Sequence, residues 1–156
     1  MKKIIVALCL AALITACSVG DVSLGAFTLK DIKLNMLQDD IVSGVTCHIA
    51  SIEDNFSFSD PSDSSISCRR TGEITTDMIA KIDKSKSGEV VFKKSKSIFF
   101  KSMKIRRIYD AKNQTLMYLS YSTTEISGSF KHSLSTVPLW GTTAYVEPAQ
   151  SNNGKN

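Results

Sequence analysis

Apolar and polar residues alternate with a period of two along most of this chain, which predicts strands rather than helices. Lys30 to Gln38 sets Ile32, Leu34 and Met36 on one side, with Lys33 and Asn35 on the other. Val42 to Ile52 gathers Val45, Cys47 and Ile49 on one face, so Cys47 is expected to point inward and His48 outward. Ile66 to Arg70 forms a short strand, and Val90, Val91 and Phe92 begin another. Ile98 to Tyr109 is a long strand with Phe99, Met103, Ile105 and Tyr109 on one face. Thr115 to Ser122 is apolar on both faces, as expected of a central strand covered on both sides. Leu134 to Leu139 is a last short strand, and Pro138 suits an edge.

One segment breaks the alternation. Met78, Ile79 and Ile82 stand at helical spacing behind Thr75 or Thr76, either of which suits an N-cap. Turn-forming residues fill the gaps: 53–65, then Ser85 to Gly88, then the hairpin loop Asp110 to Gln114. Phe56 and Phe58 interrupt the polarity of the first of these and either fold back on the core or form an exposed contact. The count is six to eight strands, mostly antiparallel, with one short α-helix. The fold class expected is mainly β, an antiparallel β-sandwich or curved sheet.

The N-terminus reads differently. Lys2 and Lys3 precede an apolar run from Ile4 to Ile14, too short to cross a bilayer, and then comes Leu13-Ile14-Thr15-Ala16-Cys17. A cysteine directly after small residues is the bacterial lipoprotein signal, in which the thiol is acylated and becomes the new N-terminus. Residues 1–16 are thus expected to be a signal peptide, with Cys17 the lipidation site. Residues 17–26 form a lipidated tether, 27–146 one β-rich domain, and 147–156 a disordered polar tail. The expected location is the cell envelope, lipid-anchored at its periplasmic face. Ser18, where an inner-membrane retention signal would have Asp, favours the outer membrane.

Removal of the signal reduces the net charge from +4 to +2 and leaves a marked asymmetry. Residues 21–80 carry ten acids against Lys30, Lys33, Arg69 and Arg70; residues 81–107 carry ten bases against Asp83 and Glu89. A basic stretch outside the cytoplasm suits lipid phosphates, lipopolysaccharide or an acidic protein partner, whereas nucleic acid is not expected there. The plainer reading is that these lysines are solvated strand faces paired with acids of the first half.

Cys9 leaves with the signal and Cys17 is acylated, so Cys47 and Cys68 remain as the one possible disulfide in an oxidising compartment. Such a bridge is worth roughly 3 kcal/mol. No Cys-x-x-Cys or His-rich context supports a redox-active or metal-bound pair. His48 and His132 are in no metal-ligand spacing, His132 falls in a polar loop, and nucleophile elbows, phosphate loops and His-Glu-x-x-His are all lacking. No cofactor or metal is expected. Asp39 and Asp40 are adjacent and face opposite sides of a strand end. The best candidate for anion or partner binding is Lys93, Lys94 and Lys96 beside Ser95 and Ser97. Tyr109 and Asp110 are the second candidate, against the simpler reading that Asp110 makes the turn. Trp140 is either a partly exposed anchor or a core cap.

An ordered set of short motifs resembles the CreA family of bacterial envelope proteins. It comprises Val45-Thr46-Cys47, Ile66-Ser67-Cys68 and Gly88-Glu89-Val90-Val91-Phe92-Lys93-Lys94. Phe100-Lys101-Ser102, Tyr109-Asp110-Ala111-Lys112, Tyr118-Leu119 with Tyr121-Ser122, and Val137-Pro138 follow. The resemblance spans residues 40 to 139 and implies a periplasmic protein with the two-cysteine pattern and no established biochemical activity. The family name comes from a gene neighbourhood beside a carbon-source-responsive two-component system, which is not a mechanism. This chain departs from the pattern at both ends: a lipobox replaces the ordinary cleavable signal, and the polar stretch after Val146 is an addition.

The function expected is a non-enzymatic binding module on the membrane, partnered by an envelope protein or an anionic envelope component. Two alternatives stand beside it. One is an enzyme with a site built on Tyr109, Asp110, Lys93 and His48. The other is a small-molecule carrier with an apolar cavity between its sheets.

Overall fold

A computed structural model describes residues 17–24, 30–54, 64–92, 103–123 and 131–148. Within these the chain runs β1 (Cys17–Ser23), β2 (Lys30–Gln38), β3 (Val45–Asp54), β4 (Ser64–Arg70), α1 (Thr76–Lys81), β5 (Glu89–Val90), β6 (Met103–Asp110), β7 (Thr115–Ser122) and β8 (His132–Pro138). The strands form two four-stranded sheets, β1-β2-β3-β4 and β5-β6-β7-β8, with every neighbouring pair antiparallel. This is the mainly β sandwich with one short helix that the alternation predicts. Residues 1–16, expected to be a signal peptide, Phe56, Phe58, Phe99 and positions 149–156 of the expected tail lie outside the described residues.

The two sheets enclose a shared core. Val45, Cys47, Ile49, Ile66 and Cys68 come from the first sheet, and Met103, Ile105, Leu116, Tyr118 and Val137 from the second. Cys47 sits opposite Cys68 and is bonded to it. The Cys68 N–H turns away from β3 and donates to Ser135 Oγ of β8 at 2.7 Å. Cys47 and Cys68 are therefore a non-hydrogen-bonded pair, the kind whose side chains approach closest. The Ser135 contact also ties the edge of the first sheet to the edge of the second, supplying a partner to a backbone donor that the ladder leaves over.

α1 packs Ile79 inward beside Ile82. Thr75 is its N-cap, its Oγ1 accepting from Met78 N at 3.3 Å, and Asp77 and Lys81 stand at the ends where the helix dipole favours them. The segment after β8 returns to strap this region. Ala144 N donates to the Ile74 carbonyl, Thr143 N donates to Glu73, and Val146 N donates to the Gln114 side chain.

Several expectations need correction. Residues 17–23, read as tether, are strand β1, hydrogen-bonded to β2 from Cys17 onward. Val19 sits at a bulge between Ser18 and Gly20, and that irregularity hides the alternation in the sequence. The residue β2 contributes to the core is Leu37, while Met36 is 37% exposed, so Ile32, Leu34 and Met36 face away from the opposing sheet. The strand begun by Val90 is two residues long; Val91 N still bonds the Ile105 carbonyl before the chain leaves the sheet. His132 opens β8 instead of lying in a loop. β7 is central as expected, but only Leu116, Tyr118, Ser120 and Ser122 are buried; Met117, Leu119 and Tyr121 are half-buried on the other face.

Candidate functional site

The residues singled out from sequence do not converge. Lys93, Lys94 and Lys96 lie outside the described residues. Tyr109 and Asp110 end β6, where Asp110 accepts from Asn113 N at 3.1 Å and from Asn113 Nδ2 at 2.6 Å. Those hydrogen bonds hold its carboxyl below the usual aspartate range. Asp110 thus closes the hairpin, as the simpler reading has it. Tyr109 packs against the core, and burial with the Asp110 charge raises its phenol above the ordinary value. His48 lies half-buried on the outward face of β3, between Met36 and Ser67. His132 stands on the other sheet, opposite Tyr121. The pairing of His48 with Tyr109 and Asp110 into one site is not formed.

The polar centre of the molecule lies elsewhere. Arg107 of β6 is 1% exposed and follows Met103 and Ile105 on the same inward face. Its Nη1 donates to both carboxylate oxygens of Asp39, and its Nη2 donates to Glu89. Asp39, 2% exposed, leaves β2 in a tight turn, with Oδ1 accepting from Ile41 N at 2.9 Å and Val42 N at 2.8 Å. Tyr118 of β7, fully buried, donates its hydroxyl to Asp39 Oδ2 at 2.7 Å. The turn after β2 and strands β6 and β7 thus meet at one carboxylate, and β5 joins through Glu89 on Arg107.

The electrostatics follow from that geometry. Burial on its own lowers the Arg107 pKa, but the hydrogen bonds and charge of Asp39, with Glu89, outweigh it and the pKa rises. Burial pushes the Tyr118 phenol far above its ordinary value, and the Asp39 charge adds to the shift. Arg107 Nε has no hydrogen-bond partner. Only Glu89, whose side chain is 33% exposed, connects the cluster to solvent. With the donors turned inward onto protein acceptors, the cluster is suited to clamping the two sheets together rather than to meeting a ligand.

In the sequence Arg107 reads as one base in a solvated run. The missed signal is its place at an odd position of β6 between inward Ile105 and Tyr109, where a long cation needs a buried carboxylate. Asp39 follows the end of β2, as its sequence context predicts, and Asp40 beside it is exposed. One of the bases in residues 81–107 does pair with an acid of the first half, though in the core. Arg106 instead bonds the carbonyls of Ser87 and Gly88 at 2.9 and 3.0 Å.

The accessible features are on outward surfaces. Leu119, Tyr121, Ser122, Thr123 and His132 line an open groove at the end of β7. Ile32, Ala50 and Ile52 line another with Ser51, Ser64 and Ser65. Trp140 is 72% exposed, so it is not a core cap; Arg70 holds its carbonyl and that of Gly141. No group of His, Cys, Asp and Glu fit to hold a metal occurs among the described residues, and no helix there is long and apolar enough to cross a membrane.

Comparison with known proteins adds a family. Residues 19–142 match the family described as CreA protein. The chain is 39% identical over 114 residues to the protein of Escherichia coli named Protein CreA, covering 69% of this chain and 72% of that one. The same identity and coverage recur with the proteins of that name from two further Escherichia coli strains. No solved structure matches.

Proposed function

The chain belongs to the CreA family, and from that premise we propose that it is a lipid-anchored envelope protein that acts as a binding module rather than as an enzyme. The lipid is carried by Cys17, and the protein sits at the periplasmic face, on the outer membrane. Its partner is an envelope protein or an anionic envelope component, engaged through the basic run at Lys93, Lys94 and Lys96.

The observation that carries this reading is how the polar side chains are used. Arg107, Asp39 and Tyr118 bond one another in the core, Asp110 closes a turn, and Cys47 is bonded to Cys68. Groups with chemical potential serve the architecture, which leaves recognition to the surface. The buried disulfide also supports an oxidising compartment, since such bridges persist there.

In-cell crosslinking of the tagged protein, with mass spectrometry of the captured material, tests this. A discrete envelope partner that is lost with Lys93→Glu and Lys94→Glu, in a protein still acylated at Cys17, supports it. Turnover of a metabolite by the purified, disulfide-intact protein overturns the binding-module reading. Release of the protein from membranes without change when Cys17 becomes Ser overturns the anchor.

A further inference from the structure

The register of the first sheet has a consequence for the anchor. β1 pairs with β2 from its first residue, with Cys17 opposite Met36. No spacer separates the residue that would carry lipid from the folded sheet, so the sheet itself must lie at the bilayer surface.

The two faces of this sheet differ in kind. Toward the core side, β1 and β2 carry Asp21, Asp31, Lys33 and Asn35, with Lys33 Nζ 3.0 Å from Asp21. On the outward side the register lines up apolar residues from three strands. Val22, Ile32 and Ile52 form one row, Leu34 and Ala50 the next with Gly20, and Met36 and His48 the row that starts at Cys17. Val22 is 52% and Met36 37% exposed, and Val19 and Leu24 beside them are also exposed. On β4 the Ala50 row continues as Ser65 and the His48 row as Ser67, and the next row along is Gln38, Thr46 and Arg69. Among the described residues, this face bears no carboxylate from the Val22 row to the Arg69 row. An exposed apolar patch without acids, rimmed by hydroxyls, a histidine and an arginine, complements a phospholipid headgroup layer.

We propose that the outward face of β1-β2-β3 lies flat on the membrane, so that the acyl anchor and the apolar rows form one continuous contact with lipid. The second sheet and Trp140 are then held toward the periplasm for partners. This orientation rests on acylation of Cys17, and a lipid anchor plus an apolar surface is the two-signal combination that gives stable rather than reversible attachment.

The test uses the processed, acylated protein in vesicles of phosphatidylethanolamine and phosphatidylglycerol. Cys17 is occupied and Cys47 and Cys68 are bonded, so Met36→Cys, Ser67→Cys or Thr136→Cys each adds a single site for a nitroxide label. Thr136 is exposed on the other sheet and serves as the control. Reduction of the nitroxide by aqueous ascorbate is expected to be about threefold or more slower at positions 36 and 67 than at 136, as for groups sunk into the headgroup layer. An acyl mass on Cys17 with equal rates at all three sites overturns the orientation and leaves the anchor standing. Absence of the acyl mass overturns both. Slow reduction at 36 accompanied by label–label broadening that scales with protein density assigns the face to a second copy of the chain and also overturns the proposal.

Discussion

Arg107 of one sheet donates through a single nitrogen to both carboxylate oxygens of Asp39, which leads out of the other sheet. Both side chains are 1% exposed. A buried charge pair of this kind adds little net stability compared with well-packed apolar residues, but removing one partner strands the other in a low dielectric.

Asp39→Ala is therefore expected to destabilise the fold by about 3–5 kcal/mol in urea unfolding. Combining it with Arg107→Met should recover part of that loss, because the stranded buried cation is removed, while Glu89 loses its partner at a half-exposed site and the Tyr118 hydroxyl still lacks its acceptor. A loss below about 1 kcal/mol for Asp39→Ala, the range of an exposed pair, would contradict the burial of this pair.

Tyr118 predicts an alkaline transition. Its phenol pKa is raised in the fold, by burial first and by Asp39 second, so only the unfolded chain ionises once pH passes the ordinary value of about 10. The stability it contributes is fully present below that pH and falls as pH rises above it. Ultraviolet titration should show one of the four tyrosines staying protonated until unfolding. Tyr118→Phe should make the decline above pH 10 shallower. An unchanged slope would mean that the hydroxyl is not sequestered.

Gly88 has φ +59°, and a Cβ there would come within 2.0 Å of the Arg107 carbonyl oxygen. That close approach brings Glu89 alongside Arg107. Gly88→Ala should cost about 1–3 kcal/mol of stability, the scale of local backbone strain, and more if the β5–β6 pairing opens. Tolerance of alanine in thermal unfolding would show that the backbone can retreat from β6.

Replacing Cys47 and Cys68 together by alanine should lower stability by about 3 kcal/mol, the chain-entropy worth of a bridge across 21 positions. Circular dichroism of the folded state should stay the same, because the register of β3 and β4 also rests on Ile49 facing Ile66. Loss of the native spectrum would mean that the bridge sets the pairing rather than reinforcing it.

Local pattern carried most of the architecture. Period-two alternation is a property of a strand's own residues, so β3, β6, β7 and β8 could be read from sequence, and so could the Thr75-capped helix. The inward Cys47 follows from the same parity, and the expected bridge to Cys68 came from counting cysteines. The bulge at Val19 breaks that parity, so the sequence of β1 reads as a tether. What alternation cannot say is which face of a strand meets the other sheet. Ile32, Leu34 and Met36 look like a core stripe, yet Leu37 enters the core, because β2 lies near the outer edge of its sheet, where little of the other sheet covers it. The partners of Arg107 were likewise invisible: Asp39 is 68 positions away, and only the stacking of the two sheets brings a turn after β2 onto the inward side of β6. Strand identity is a local property of the chain, whereas burial and charge pairing belong to the way sheets pack, and that is decided only in three dimensions.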